Sequence, residues 1–209
     1  MPNWCYNTAT FSHEDPAMIE RLAKAADNDK VLQEFIPCPQ ELLETTAGRL
    51  IGNAQVYLEE KEKSNLDKYG YKCWYDWCVA NWGTKWDFGF SDAHTFDDGK
   101  SISASFDTAW SPPIEAYQKL QELGFVIQAL YYEPGVGFAG EYDNGEDYVI
   151  EYDFQDVNWR DGLSDDLVNL MEPEYESYQM WQQENEEEAK QKAFDRFSID
   201  LAYQGEGEV

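Results

Sequence analysis

The sequence predicts an α+β protein: a ferredoxin-like split βαβ sandwich, an antiparallel sheet covered by two helices, with an extra β-hairpin and a C-terminal helix. Over the first 135 residues the elements read strand, helix, strand, strand, helix, strand, which is the split βαβ order. The chain is 16% aromatic, with 8 Trp, 14 Tyr and 11 Phe, enough material for a core. Its 209 residues suit one domain with an appendage. The expected division is a ferredoxin-like domain over 1–135 and an acidic extension, hairpin then long helix, over 136–209.

Each element has a local cause. Trp4–Ser12 is rich in aromatic and β-branched residues and reads as a strand. His13-Glu14-Asp15-Pro16 supplies an acidic cap with Pro at the first helical position, and Met18, Ile19, Leu22 and Ala26 recur at helical spacing over 16–27. Pro37 and Pro39 exclude a long regular element within Phe35–Leu42. Trp74, Trp77, Cys78 and Trp82 share a helical face in Tyr71–Asn81 and just beyond it. Thr84–Ser91 places Trp86, Phe88 and Phe90 two apart, the pattern of a strand with one buried face. After an Asp97-Asp98-Gly99 turn, Ser101–Asp107 reads as a strand with Ile102, Ala104 and Phe106 in phase. Ser111-Pro112-Pro113 opens a helix with an Ile114, Tyr117, Leu120, Leu123 stripe that Gly124 ends, and Phe125–Tyr132 is an apolar strand. Gly137–Tyr142 and Asp147–Tyr152 flank Asn144-Gly145, a strong hairpin signal. A helix is expected from about Pro173 through Tyr203, with Phe194, Phe197 and Leu201 as an apolar patch near its end and GEGEV as a frayed tail.

Charge narrows the function classes. The net charge is −27. Residues 1–130 hold 11 basic and 20 acidic residues, and residues 131–209 hold 4 and 22. A nucleic-acid backbone is bound by clustered Lys and Arg, so direct nucleic-acid binding is excluded, and adhesion to an anionic membrane is disfavoured for the same reason. No stretch approaches the ~20 apolar residues that span a bilayer, and the N-terminus lacks a signal peptide, so a cytoplasmic location is expected. Cys5, Cys38, Cys73 and Cys78 are expected as reduced thiols.

Three segments, MPNWCYN (Met1–Asn7), NWGTKWD (Asn81–Asp87) and FDTAWSPP (Phe106–Pro113), resemble the ferredoxin-like family of phage and conjugative-plasmid proteins of the YubB type. The resemblance implies the fold already argued and a mobile genetic element, hence a host cytoplasm. It brings no catalytic residues. On their own chemistry, Trp4, Trp82, Trp86 and Trp110 are expected as core and strand-edge residues, each burying on the order of 150–250 Å². The alternative is an aromatic pocket built from Trp74, Trp82, Trp86 and Trp110, with His94 nearby.

No enzyme signature stands out. The cysteines lack zinc spacing, and only His13 and His94 are available as bases. Asp92, His94, Asp97 and Asp98 cluster by chance around a turn, and Asp143, Glu146 and Asp147 do not match an EF-hand loop. No catalytic residue, metal or cofactor is expected. What remains is an acidic surface carried by Glu141, Asp143, Glu146, Asp147, Glu151, Asp153, Asp156, Asp161, Asp165 and Asp166. On a strand, residues two apart project together about 6.6–6.8 Å apart, close to the phosphate repeat of a nucleic-acid strand. Glu141 with Asp143, and Glu151 with Asp153, have that spacing. The expected role is therefore non-enzymatic: binding a basic host protein, a defence or nucleic-acid-processing enzyme, as a nucleic-acid mimic. The alternatives are a small enzyme or ligand-binding module using the aromatic pocket, and a structural subunit.

Overall fold

A computed structural model describes residues 3–205, with side chains as far as residue 192. The chain divides into two compact units, Met1–Tyr152 and Asp153–Val209.

The first unit is built on an antiparallel sheet. Strand β1 (Trp4–Ser12) leads into α1 (Pro16–Ala26), whose Asp15 side chain accepts the Ala17 N–H with Pro16 at the first turn. Four helices follow: α2 (Val31–Phe35), α3 (Gln40–Leu43), α4 (Asn53–Tyr69) and α5 (Trp74–Trp82). The sheet then resumes with β2 (Asp92–Thr95) and β3 (Ser101–Ala109), crosses by α6 (Ile114–Glu122), and ends with β4 (Val126–Glu133), β5 (Phe138–Asp143) and β6 (Glu146–Glu151). The strand order is β2-β3-β1-β4-β5-β6, every pair antiparallel. The first four strands in that order have the ferredoxin-like connectivity, and the hairpin continues the sheet beyond β4. The α+β sandwich expected from the sequence is the fold.

Strand alternation decides the core. Ala9, Phe11, Ile102, Phe106, Ile127, Ala129 and Tyr142 point to one face, where Ile19 and Leu22 of α1 and Ala116, Tyr117 and Leu120 of α6 are buried with them. Thr8, Thr10, Ser103 and Ser105 occupy the opposite face, where Thr8 and Ser105 hydroxyls meet at 3.3 Å.

One expected strand is not a strand. Thr84–Ser91 runs as irregular chain, and the edge strand β2 lies in the next residues, Asp92–Thr95, which the sequence presents as an exposed loop. The reason is the partner available to each backbone. The Asp87 carboxylate accepts from Leu32 and Gln33 N–H, both at 2.7 Å, and from Phe88 N–H at 2.9 Å, while Phe88 C=O accepts from Val31 N–H. The segment therefore caps the first turn of α2 instead of pairing in a ladder. Burial raises the Asp87 pKa against these three stabilising N–H contacts. Beyond it, β3 offers a free edge that Asp92–Thr95 takes.

The second unit opens with capped turns and continues as α7 (Asp165–Gly205). The helix begins eight residues before the expected start at Pro173, because Ser164 Oγ accepts the Leu167 N–H. Pro173 lies inside it, forfeiting one helical hydrogen bond without ending the helix. Phe154, Trp159, Tyr175 and Tyr178 form an aromatic cluster, Phe154 and Trp159 at 5.0 Å and Trp159 and Tyr175 at 4.9 Å. The side chains of the Phe194, Phe197 and Leu201 patch, and the last four residues, lie outside what the structure describes. Among the described residues, no helix is long and apolar enough to cross a membrane.

Candidate functional site

The carboxylates expected to form one surface fall in both units. Five stand on the β5–β6 hairpin. Asn144 and Gly145, at φ +44° and +112°, make the tight two-residue turn that opposes Asp143 to Glu146. Register then places Glu141, Asp143, Glu146 and Tyr148 on one face, and Asp147 and Glu151 on the other. Asp143, Glu146, Asp147 and Glu151 are exposed and Glu141 is half-buried. Among the described ion pairs, none takes a hairpin carboxylate. The sequence itself supplies no Lys, Arg or His between Lys119 and Arg160.

Asp147 also has a structural task. It accepts from the Tyr131 hydroxyl at 2.5 Å. Tyr131 reaches it across Gly140, where any Cβ would collide with Tyr131 Oη and the Tyr148 carbonyl. Burial, and then the Asp147 carboxylate, push the Tyr131 phenol well above its usual range.

β6 is the sheet's outer edge. Tyr152 N–H bonds Gly137 C=O at 2.8 Å, so in the antiparallel alternation Glu146, Tyr148 and Ile150 direct their N–H groups at β5. Asp147, Val149 and Glu151 direct theirs outward.

The five remaining acids belong to the second unit. Asp153 and Asp156 accept the N–H groups of Gln155 and Asn158, at 2.8 and 2.9 Å, and so cap turns. Glu151 and Asp153 do not share a strand, because β6 ends at Glu151. Asp165 and Asp166 occupy the first turn of α7, where the helix dipole favours negative charge, and Asp161 is exposed.

The tryptophans separate. Trp82 is buried and donates its indole N–H to Ile36 C=O at 2.9 Å, as a core residue. Trp4, Trp86 and Trp110 do not join it: they remain 41%, 38% and 40% exposed, so of the four only Trp82 is a core residue. They gather at one end of the β1–β3 pair, where Trp4 opens β1 opposite Ala109. Trp4 and Trp86 lie 6.0 Å apart, and Tyr75 of α5 meets Trp110 edge-on at 6.2 Å. Thr84 Oγ1 exchanges two hydrogen bonds with the Ala109 backbone, and Ser111 Oγ donates to Gly83 C=O at 2.6 Å. These pins hold Lys85-Trp86 beside Trp110. Trp110 itself has φ +72°, a conformation uncommon for a large side chain.

A cleft of about 400 Å³ adjoins the cluster, lined by Trp74, Tyr75, Trp110, Lys72, Lys85 and Asp76 among others. Of the expected aromatic pocket, Trp74 and Trp110 line the cleft with Tyr75 and Lys85, Trp86 stands against Lys85 outside the lining, and Trp82 lies in the core. His94 stands on the β2 edge against Phe96 and does not line the cleft. Trp4 opens β1 and Trp110 follows β3, the strand-edge positions open to them in the sequence, and tryptophans there are not held in the middle of a sheet.

The four cysteines are buried and unbridged. Among the described residues, no three His, Cys, Asp or Glu side chains come together as a metal site. The molecule is an α+β protein of ferredoxin-like connectivity, extended at one edge by an anionic hairpin and carrying an exposed indole cluster. No protein-family model matches the chain, and no curated relative does. Among solved structures, the crystal structure of protein api92 from Yersinia pseudotuberculosis, of the family DUF1281, is similar over 73% of this chain and 99% of that one. The identity is 12% and the TM-score 0.35.

Proposed function

We propose that this is a non-enzymatic protein of a phage or conjugative plasmid that binds a basic protein in the host cytoplasm. Its carboxylates take the place of phosphates, and the target is a nucleic-acid-binding or defence enzyme. The observation that carries the reading is the β5–β6 hairpin: Asp143, Glu146, Asp147 and Glu151 are exposed on an edge hairpin, with no cation between Lys119 and Arg160 to neutralise them. On the hairpin, Asp143 and Glu146 accept only from the neutral side chains of Gln128 and Tyr148, whereas other carboxylates of the first unit meet cations or backbone donors. Glu14, Glu20, Glu34 and Glu41 hold ion pairs, and Asp87 and Glu133 accept backbone N–H groups. The hairpin charge is left for a partner, and a field of this sign speeds encounter with a basic surface.

The test is capture of basic proteins from bacterial lysate by the wild type and by the Asp143→Asn/Glu146→Gln/Glu151→Gln variant. These substitutions spare Asp147, which holds Tyr131. One nucleic-acid enzyme retained at moderate salt, displaced by duplex DNA and lost by the variant, is the expected result. Equal retention by both proteins would refute the hairpin's role.

A further inference from the structure

The exposed indole cluster already holds a cation, its own. Lys85 Nζ lies 4.4 Å from the Trp86 ring centroid, 5.0 Å from that of Trp110 and 5.8 Å from that of Tyr75. At those separations an ammonium is drawn to the negative faces of the rings. Lys85 takes part in none of the described ion pairs, although the protein carries 42 carboxylate side chains. Its rings come from α5, from the chain after α5 and from the end of β3, so only the folded sheet assembles them. Yet the cluster stays open, with Trp86 and Trp110 well exposed and the cleft leading into it.

We propose that this cage is a binding site for an arginine side chain presented by a protein partner, and that Lys85 is an internal occupant which the incoming guanidinium displaces. The source of the arginine rests on the reading of a basic partner given above. Three arguments select this ligand. The rings select a cation over an anion, and the net charge of −27 concentrates cations and repels anions around the whole molecule. Guanidinium is more weakly hydrated than ammonium and stacks flat on indole, so exchanging Lys85 for arginine returns the better-hydrated ion to water. Asp76 and Glu62 on the cleft wall offer carboxylates to a planar fork of donors.

The experiment is a titration of the full-length protein with N-acetyl-arginine amide, followed by the indole N–H signals in two-dimensional NMR. The competitor is built in, so removing it has a sign. Lys85→Ala is expected to bind the probe roughly tenfold more tightly than the wild type, the size of a multi-ring cation–π contact. Lys85→Arg, which refills the cage, is expected to bind no better than the wild type, and Trp86→Ala added to Lys85→Ala is expected to abolish the gain. Unchanged or weaker binding by Lys85→Ala overturns the proposal. So does saturable binding of AMP that Lys85→Ala removes, which would make Lys85 a phosphate contact in an anion site. The hairpin variant separates the two readings. If it keeps the partner while Lys85→Ala still gains affinity for the probe, only the hairpin reading fails. If it loses the partner while Lys85→Ala gains nothing, only the cage fails.

Discussion

Trp86 and Phe88 stand two residues apart on one irregular segment and have opposite fates. Phe88 is 5% exposed and stacks on Phe106 at 4.1 Å with 6° between the planes, beside Phe11 and Phe90. Trp86 is 38% exposed and faces Lys85 and Trp4. The phenyl stack is hydrophobic burial put to use in the core, and the indole cluster is aromatic area left at the surface. The difference teaches that aromatic content does not locate a core. What decides is whether a ring lies over the helix-covered face of the sheet or past the end of a strand.

The largest expected effect breaks the first region. Phe106→Ala removes a ring from the centre of the stack and is expected to cost about 3–5 kcal/mol in denaturant unfolding. Trp86→Ala is expected to cost less than about 1 kcal/mol. Comparable losses would mean that the indole cluster is a second core and would remove its availability to a ligand.

The carboxylates divide in the same way. Asp87→Ala leaves the Leu32, Gln33 and Phe88 N–H groups without their acceptor and is expected to cost about 2 kcal/mol. The three-site hairpin variant is expected to keep its thermal midpoint or raise it slightly. Asp143 and Glu146 are directly opposite, and like charges so placed are destabilising by a few tenths of a kcal/mol. A marked drop in its midpoint would show that the hairpin charges serve the fold. Between these in size is Asn144→Ala, where the positive φ is expected to cost about 1 kcal/mol.

The smallest effect concerns pH. The Lys68 ammonium at 2.6 Å, and then the Tyr69 hydroxyl, hold the Glu41 carboxyl down to about 2, against an ordinary 4.5. An acid lowered in the fold stabilises it above its unfolded pKa and loses that contribution as pH falls toward the folded value. Asp87, raised by burial, has the opposite sign: its proton-linked stability is present below about 3.8 and is lost as pH rises through its raised pKa. Unfolding followed between pH 5 and pH 2 is therefore expected to show a shallower acid limb for Glu41→Gln than for the wild type. An unchanged limb would assign the acid sensitivity to other groups.

Much of this was written locally. Asp15-Pro16 set the start of α1, Asn144-Gly145 set the hairpin turn, and period-two alternation in β1, β3 and β4 set the buried face, because each depends on residues a few positions apart. The charge division is likewise a property of the chain. Tertiary structure decided the rest. Thr84–Ser91 has a strand's alternation, but its backbone found α2, and the less strand-like Asp92–Thr95 found the free edge of β3. No local pattern tells Trp82 from Trp86, since one meets Ile36 C=O and the other meets Trp4 only once distant parts of the chain are brought together. Nor does a run of carboxylates reveal which are spent. Asp87 and Asp153 accept backbone N–H groups and Asp147 holds a phenol, while Asp143 and Glu151 are left without a cation. Propensity and charge act over a few residues and are fixed by composition. The partners of a backbone edge, an indole or a carboxylate are chosen across the fold, by whichever donors and surfaces packing brings within reach.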